Sequence, residues 1–169
     1  MCEKVTYICK VLIVNKKIGL PKDYNPGVNK KALRAFNKMK KCASKENITL
    51  EIISSFRSYD YQVKIYEEYV KEFGKKKADT FSARPGHSEH QTGLAFDICE
   101  DSDKFIGTKE AIWLQDNSYK FGFIIRYPKG KEKITGYKYE PWHIRYVGKR
   151  VARCIYEKGI SLEEYLGID

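Results

Sequence analysis

Apolar residues in this chain fall into short β-branched or aromatic runs, such as Val11-Leu12-Ile13-Val14 and Phe123-Ile124-Ile125, that alternate with stretches in which they recur every three or four positions. The first pattern is that of buried strands and the second that of amphipathic helices, so the chain must mix the two. No run approaches the roughly 20 apolar residues that span a bilayer. The opening Met1-Cys2-Glu3-Lys4-Val5 lacks the charged stretch and apolar core of a secretory signal. With 169 residues, 42% of them hydrophobic, residues 1–169 suit one domain that buries roughly 70% of its unfolded surface, without needing a metal or disulfide for cohesion.

The run at 11–14 ends at the turn-forming Asn15 and reads as a buried strand. Leu20 to Gly27 holds two prolines and a glycine and reads as a loop. Val28, Ala32, Leu33, Phe36, Met39 and Ala43 predict an amphipathic helix over 28–46, and Thr49 to Ser54 a strand. Ser58 can cap a second helix, with Val63, Tyr66, Val70 and Phe73 on its apolar face and Gly74 as its stop. Between Lys75 and Thr92 periodicity disappears, which predicts a long functional loop before a strand from Leu94 to Cys99. Thr108 opens a third helix reaching Gly122. Strands follow at Phe123 to Tyr127 and Tyr139 to Val147 around the turn-rich Pro128-Lys129-Gly130, then a helix over 148–158 and a short one after Ser161. Hairpins dominate the second half, so the expected fold class is α+β, a small antiparallel sheet flanked by helices.

Thirty-two Lys and Arg against 22 Asp and Glu leave a net charge of +10, which favours encounters with anionic polymers. The cations are spread over clusters such as Lys38-Met39-Lys40-Lys41, Lys75-Lys76-Lys77 and Lys129-Gly130-Lys131 and read as solvated faces. No zinc-finger spacing, phosphate-binding glycine loop or aromatic RNA-binding motif is present, so a nucleic-acid partner is not expected. Five cysteines, Cys2, Cys9, Cys42, Cys99 and Cys154, form no C-x-x-C pair and read as small buried hydrophobes rather than a disulfide scaffold. Free thiols and the absent signal pattern favour the cytoplasm; a cell-envelope or extracellular site is the alternative if the chain is the trimmed form of an exported protein.

Chemistry concentrates around two of the three histidines. His90 and Asp97 lie seven residues apart where the glycine-rich segment enters a strand, and Glu140 precedes His143 by three. Zinc takes nitrogen and carboxylate ligands, and a catalytic zinc keeps three protein ligands plus an open position; His90, Asp97 and His143 supply such a set. Glu140 is then a spare carboxylate suited to act as general base. On a regular strand positions 140 and 143 face opposite sides, so a shared site demands a bend or bulge at Pro141-Trp142. Individually, such residues are more often hydrogen-bonded core or surface groups, and no H-E-x-x-H signature is present, so residue types alone leave both readings open. His87 reads as an exposed loop histidine, and Trp142 as either a wall of the site or core.

The segment Ser82-Ala83-Arg84-Pro85-Gly86-His87-Ser88-Glu89-His90-Gln91-Thr92-Gly93-Leu94-Ala95-Phe96-Asp97-Ile98 resembles the S-x-H-x-x-G-x-A-x-D signature of the zinc D,D-peptidases of the VanY, VanX and VanXY type, a family related to LdcB-type L,D-carboxypeptidases. Phe121 to Pro128, Thr135 to Gly148, Leu162 to Leu166 and Leu12 to Lys16 resemble further parts of it, so the likeness covers nearly the whole chain. The resemblance implies a Hedgehog/D,D-peptidase-like fold with one Zn²⁺ per chain in a cleft on the sheet, bound by His90, Asp97 and His143, with Glu140 as base. The family's S-G-Y-R-S segment stands here as Ser54-Ser55-Phe56-Arg57-Ser58, without the glycine and the tyrosine hydroxyl. The retained Arg57 is implied as the cation beside the developing oxyanion, and Gln62 and Ser88 as groups that hold the substrate's terminal carboxylate.

The implied reaction is hydrolysis of the last peptide bond of a peptidoglycan stem peptide or precursor, releasing a C-terminal D-amino acid, D-alanine in particular. The alternatives are an L,D-carboxypeptidase acting on tetrapeptides, a D,D-dipeptidase acting on D-Ala-D-Ala, and, more remotely, a noncatalytic zinc-stabilised binding module. Residue types do not fix an oligomeric state.

Overall fold

The computed structural model describes residues 4–169, and Cys2 lies outside them. β1 (Tyr7–Ile8) and β2 (Val11–Leu12) pair as a small antiparallel hairpin. Its turn residues Cys9 and Lys10 both have positive φ, 50° and 65°. Such turns usually draw Asn-Gly, which is why β1 has no signature in the sequence. Ile13 and Val14 are fully buried but lie beyond the ladder, so the expected strand is shorter than its apolar run.

α1 (Lys30–Ser44) starts at Asn29, whose side chain accepts from the Lys31 and Ala32 amides at 3.0 and 3.1 Å. It buries Ala32, Phe36, Met39 and Ala43, the predicted apolar face. β3 (Ile52–Ser54) leads to α2 (Tyr59–Phe73), capped by the Ser58 hydroxyl and ended by Gly74. The apolar face expected on α2 is not core: Gln62 is its one buried residue, and Phe73 is exposed. The helix instead packs at the periphery on α3 (Lys75–Phe81), through Tyr69, Phe73 and Phe81 rings whose centroids lie 5.2 to 6.2 Å apart. This corrects the expected loop from Lys75 to Thr92. α3 is only seven residues long and buries only Ala78, too short for its period to show in sequence. Only 82–88 is irregular before a 3-10 turn at Glu89–Thr92.

β4 (Ala95–Ile98), α4 (Lys109–Asn117), β5 (Phe123–Tyr127), α5 (Glu132–Thr135), β6 (Glu140–Tyr146), α6 (Lys149–Lys158) and α7 (Leu162–Leu166) follow. The main sheet has the order β3-β4-β6-β5 with every pair antiparallel, so the fold is α+β as expected. Phe36, Met39, Phe96, Phe123, Trp142 and Ile144 pack one core between α1 and the sheet, whereas Val11, Ile13, Ile124, Ile155 and Leu162 join the hairpin to α6 and α7. Trp142 therefore serves as core while also edging the cleft described below.

The register between β5 and β6 slips between two pairs: Ile125 faces Ile144 and Tyr127 faces Glu140, so four positions on β6 span two on β5. The extra residues fall at Pro141 to His143, which is the bend that a shared site for Glu140 and His143 requires. Four cysteines among the described residues are free; Cys9 is exposed and Cys42, Cys99 and Cys154 are half-buried, so they are not the buried hydrophobes expected. No helix among the described residues is long and apolar enough to cross a membrane.

Candidate metal centre

Asp97 on β4 stands directly across the ladder from His143 on β6, and the 3-10 turn brings His90 over the same spot. That turn begins where the Ser88 hydroxyl accepts the His90 amide at 3.3 Å and ends at Gly93, with φ +69°. A side chain there would overlap the Gly27 carbonyl oxygen, so both the left-handed backbone and the close approach call for glycine. His90 Nε2 lies 3.1 Å from Asp97 Oδ2, and His143 Nδ1 lies 3.1 Å from Asp97 Oδ1.

One ligand atom from each of these three buried residues lies within 4.8 Å of the others. Ligands about 2.0–2.1 Å from a tetrahedral zinc are separated from one another by about 3.3 Å, so the two measured approaches are of the right size. Asp97 Oδ1 is buried and accepts no hydrogen bond, although His143 Nδ1 is so close. The outer nitrogens are engaged elsewhere: His90 Nδ1 donates to the Ser55 carbonyl at 2.7 Å, and His143 Nε2 faces Glu89 Oε2 at 3.4 Å. Each imidazole is thereby turned so that its other nitrogen faces the shared point, as metal-binding histidines usually are. The donor set fits one divalent cation.

The electrostatics agree. Burial would lower the His143 pKa, but Asp97 and Glu89 outweigh it and raise the imidazole to about 9. In the absence of a cation this pocket therefore attracts a proton. Burial lowers His90, which has less carboxylate support, while the two histidines hold Asp97 well below the usual carboxylate range against its burial. Burial pushes Glu140 up to about 7, with Oε2 lying 3.9 Å from His143 Nδ1. A carboxyl balanced near neutrality can both take and return a proton.

The four residues edge an open cleft of about 140 Å³, also lined by Arg57, Gln62 and Ser88. Arg57 Nη2 donates to Asp97 Oδ2 at 2.7 Å and Nε to Ser54 Oγ at 2.9 Å. Gln62 Nε2 donates to the Ala83 carbonyl at 2.8 Å, and its Oε1 is buried without a partner. All seven expected site residues thus converge on one cleft. His87 differs from its expected exposure: it is half-buried, with Nδ1 2.8 Å from the Asn15 carbonyl oxygen.

Sequence reasoning missed the buried charges behind His143. Glu89 meets Arg126 and Arg145, and Arg126 also meets Glu163. The available signal was an arginine inside each of two apolar strand runs, Phe123 to Tyr127 and Trp142 to Tyr146. Tyr127 and Tyr137, which also line the cleft, were missed because buried tyrosines read as core.

Residues 25–149, a span that includes all seven site residues, match the family model described as VanY, D-alanyl-D-alanine carboxypeptidase. A protein of Enterococcus faecalis (strain ATCC 700802 / V583) named D-alanyl-D-alanine carboxypeptidase is 45% identical over 127 residues, 70% of this chain and 47% of that protein. The structure of the LdcB LD-carboxypeptidase, which reveals the molecular basis of that protein's peptidoglycan recognition, is similar at a TM-score of 0.85 and 49% identity, covering 94% of this chain and 86% of that one. A mutant of the vancomycin resistance D,D-pentapeptidase VanY from a VanB-type resistance cassette, solved in complex with Zn(II), is similar at 0.81 and 36%, covering 91% and 97%. The chain spans 45% to 65% of the length of the curated relatives it matches. Fold, matched span and identity together place this chain in the VanY family.

Proposed function

We propose that this chain is a zinc-dependent carboxypeptidase that hydrolyses the terminal peptide bond of a peptidoglycan stem peptide or precursor and releases a C-terminal D-amino acid, D-alanine in particular. The observation that carries the reading is the buried His90, Asp97 and His143 cluster with the Glu140 carboxyl beside it. These three residues would hold one Zn²⁺, which supplies Lewis-acid polarisation and a water acidified to near neutrality. Glu140 takes a proton from the attacking water on its carboxylate and returns it to the departing amine nitrogen. Arg57, fixed by Asp97 and Ser54, offers a guanidinium to the negative charge that develops on the scissile carbonyl oxygen.

Ser88 and Gln62 bind the terminal carboxylate. The Ser88 oxygen accepts the His90 amide, which leaves its own O–H to donate, and Gln62 has a second amide hydrogen beyond the one given to Ala83. Free thiols among the described residues support a reducing compartment. Retention of both Glu140 and Arg57 in the cleft argues against a noncatalytic module.

Mass spectrometry of stereochemically defined pentapeptide, tetrapeptide and D-Ala-D-Ala, with and without chelator, tests the proposal. Release of D-alanine from the pentapeptide, abolished by chelator and restored by zinc, is the expected result; no release from any substrate overturns it. A second reading, cleavage of the L,D bond of a tetrapeptide, is favoured by the 49% identity to LdcB against 36% to the VanY structure. Preferential turnover of the tetrapeptide in the same assay would establish that reading instead.

A further inference from the structure

The buried charges behind the metal cluster form a continuous path from the chain's last helix to His143. Glu163 on α7 receives both terminal nitrogens of Arg126, at 2.8 and 2.6 Å. Arg126 Nε donates to Glu89 Oε1 at 2.7 Å, and Arg145 Nη1 donates to the same oxygen at 2.5 Å. The remaining Glu89 oxygen, Oε2, faces His143 Nε2 at 3.4 Å. Arg145 is anchored in turn by the Leu12 carbonyl at 2.6 Å. Glu89, Arg126 and Arg145 are within 1% of full burial, and Glu163 is 2% exposed.

Such a cluster is a poor way merely to hold a fold together. Four desolvated charges carry a large hydration penalty, and well-packed apolar residues of similar volume often give equal or greater stability. What apolar residues cannot supply is a fixed anion behind an imidazole. A carboxylate there orients the ring, sets which nitrogen carries the proton and makes the opposite nitrogen more basic toward a metal. The bidentate Arg126–Glu163 pair fixes the guanidinium plane and hence the direction of Nε at Glu89.

We propose that Glu89 is a positioning residue that orients His143 toward the metal, and that α7 holds Glu89 in place through Glu163 and Arg126. This rests on the metal-binding half of the proposed function and not on which peptide is cleaved. Loss of peptidase activity alone therefore does not bear on it.

The test measures zinc rather than turnover. Glu89→Gln keeps volume and an acceptor but removes the charge, and is expected to weaken zinc binding about 10–100-fold in competition with a chromophoric chelator. The visible spectrum of the cobalt-substituted protein is expected to change with it, while circular dichroism keeps the native helix signal. Glu163→Gln, remote from the ion, is expected to weaken zinc in the same direction by a smaller factor. A purely structural cluster would lower the melting temperature of both variants and leave zinc Kd and cobalt spectrum as in the unsubstituted chain; that result overturns the proposal.

Should Glu89→Gln fail to fold, Glu163→Gln and the unsubstituted protein decide. In the zinc-loaded unsubstituted chain, the His143 Nε2–H proton is expected as a slowly exchanging imidazole resonance. Its rapid exchange with solvent overturns the proposal. A chain that binds no zinc at all overturns both this proposal and the reading on which it rests.

Discussion

Burial of the Glu140 carboxyl beside His143 keeps it protonated up to about pH 7 in the cation-free protein, and a bound dication would draw that value down. In its proposed role as base it works only after losing its proton. The value of kcat/KM is therefore expected to rise with pH along an acid limb centred at or below about 7. A pH–rate profile that falls over that interval would contradict the role. Glu140→Gln removes the proposed base at nearly constant shape, and is expected to retain fold and zinc while losing about 100-fold to 10,000-fold in kcat. Steady-state kinetics beside metal analysis of the same sample checks both halves. At this scale the sequence was readable where chemistry needs scarce residue types: only three histidines are present, and two of them converge with Asp97. Glu89 was not readable, because a glutamate in a polar loop looks solvated until Arg126 and Arg145 are seen to close over it.

Elements were legible where a cap and a period coincide. Asn29, Ser58, Thr108 and Ser161 each accept an amide at the start of a helix, and the sequence predicts all four helices, three of them opening at Ser58, Thr108 and Ser161. α3 and β1 escaped because seven residues and two residues are too few to display periodicity, and because the Cys9-Lys10 turn uses residues that do not advertise positive φ. The 3-10 turn carrying His90 depends on Gly93, where left-handed backbone coincides with contact against the Gly27 carbonyl. Gly93→Ala is expected to destabilise by more than the roughly 1 kcal/mol usual for a strained glycine site, since the overlapping atom is backbone and cannot swing aside. Thermal melts with and without zinc check this: the melting temperature should fall in both, and zinc affinity should fall with it because the turn also presents His90.

Over the whole molecule, the buried acids and His143 set opposing limits on pH stability in the metal-free state. Glu89 and Asp97 have folded pKa values below their ordinary 4.5 and 3.8, so their contribution is present above those ordinary values and is lost as pH falls through the depressed ones. Glu140 and His143 are raised, to about 7 and about 9. Their contributions are full below the ordinary 4.5 and 6.5, and disappear as pH rises through the folded values. The melting temperature of the metal-free protein is thus expected to peak on the acid side of neutrality, and a peak above pH 8 would show that the pocket does not store a proton. The α+β class was legible from the alternation of short runs and amphipathic stretches; the order β3-β4-β6-β5 was not, because strand adjacency is decided by which faces meet across the core.

Direct pairing of Asp97 with His143 has one more outcome. Side chains along a strand alternate between faces, so a slip of one rung would turn either proposed ligand away from the other. A chain that captures the ion tightly has for that reason already aligned its two central strands correctly. Metal uptake during refolding can then serve as a clock for strand alignment, read without any label on the protein.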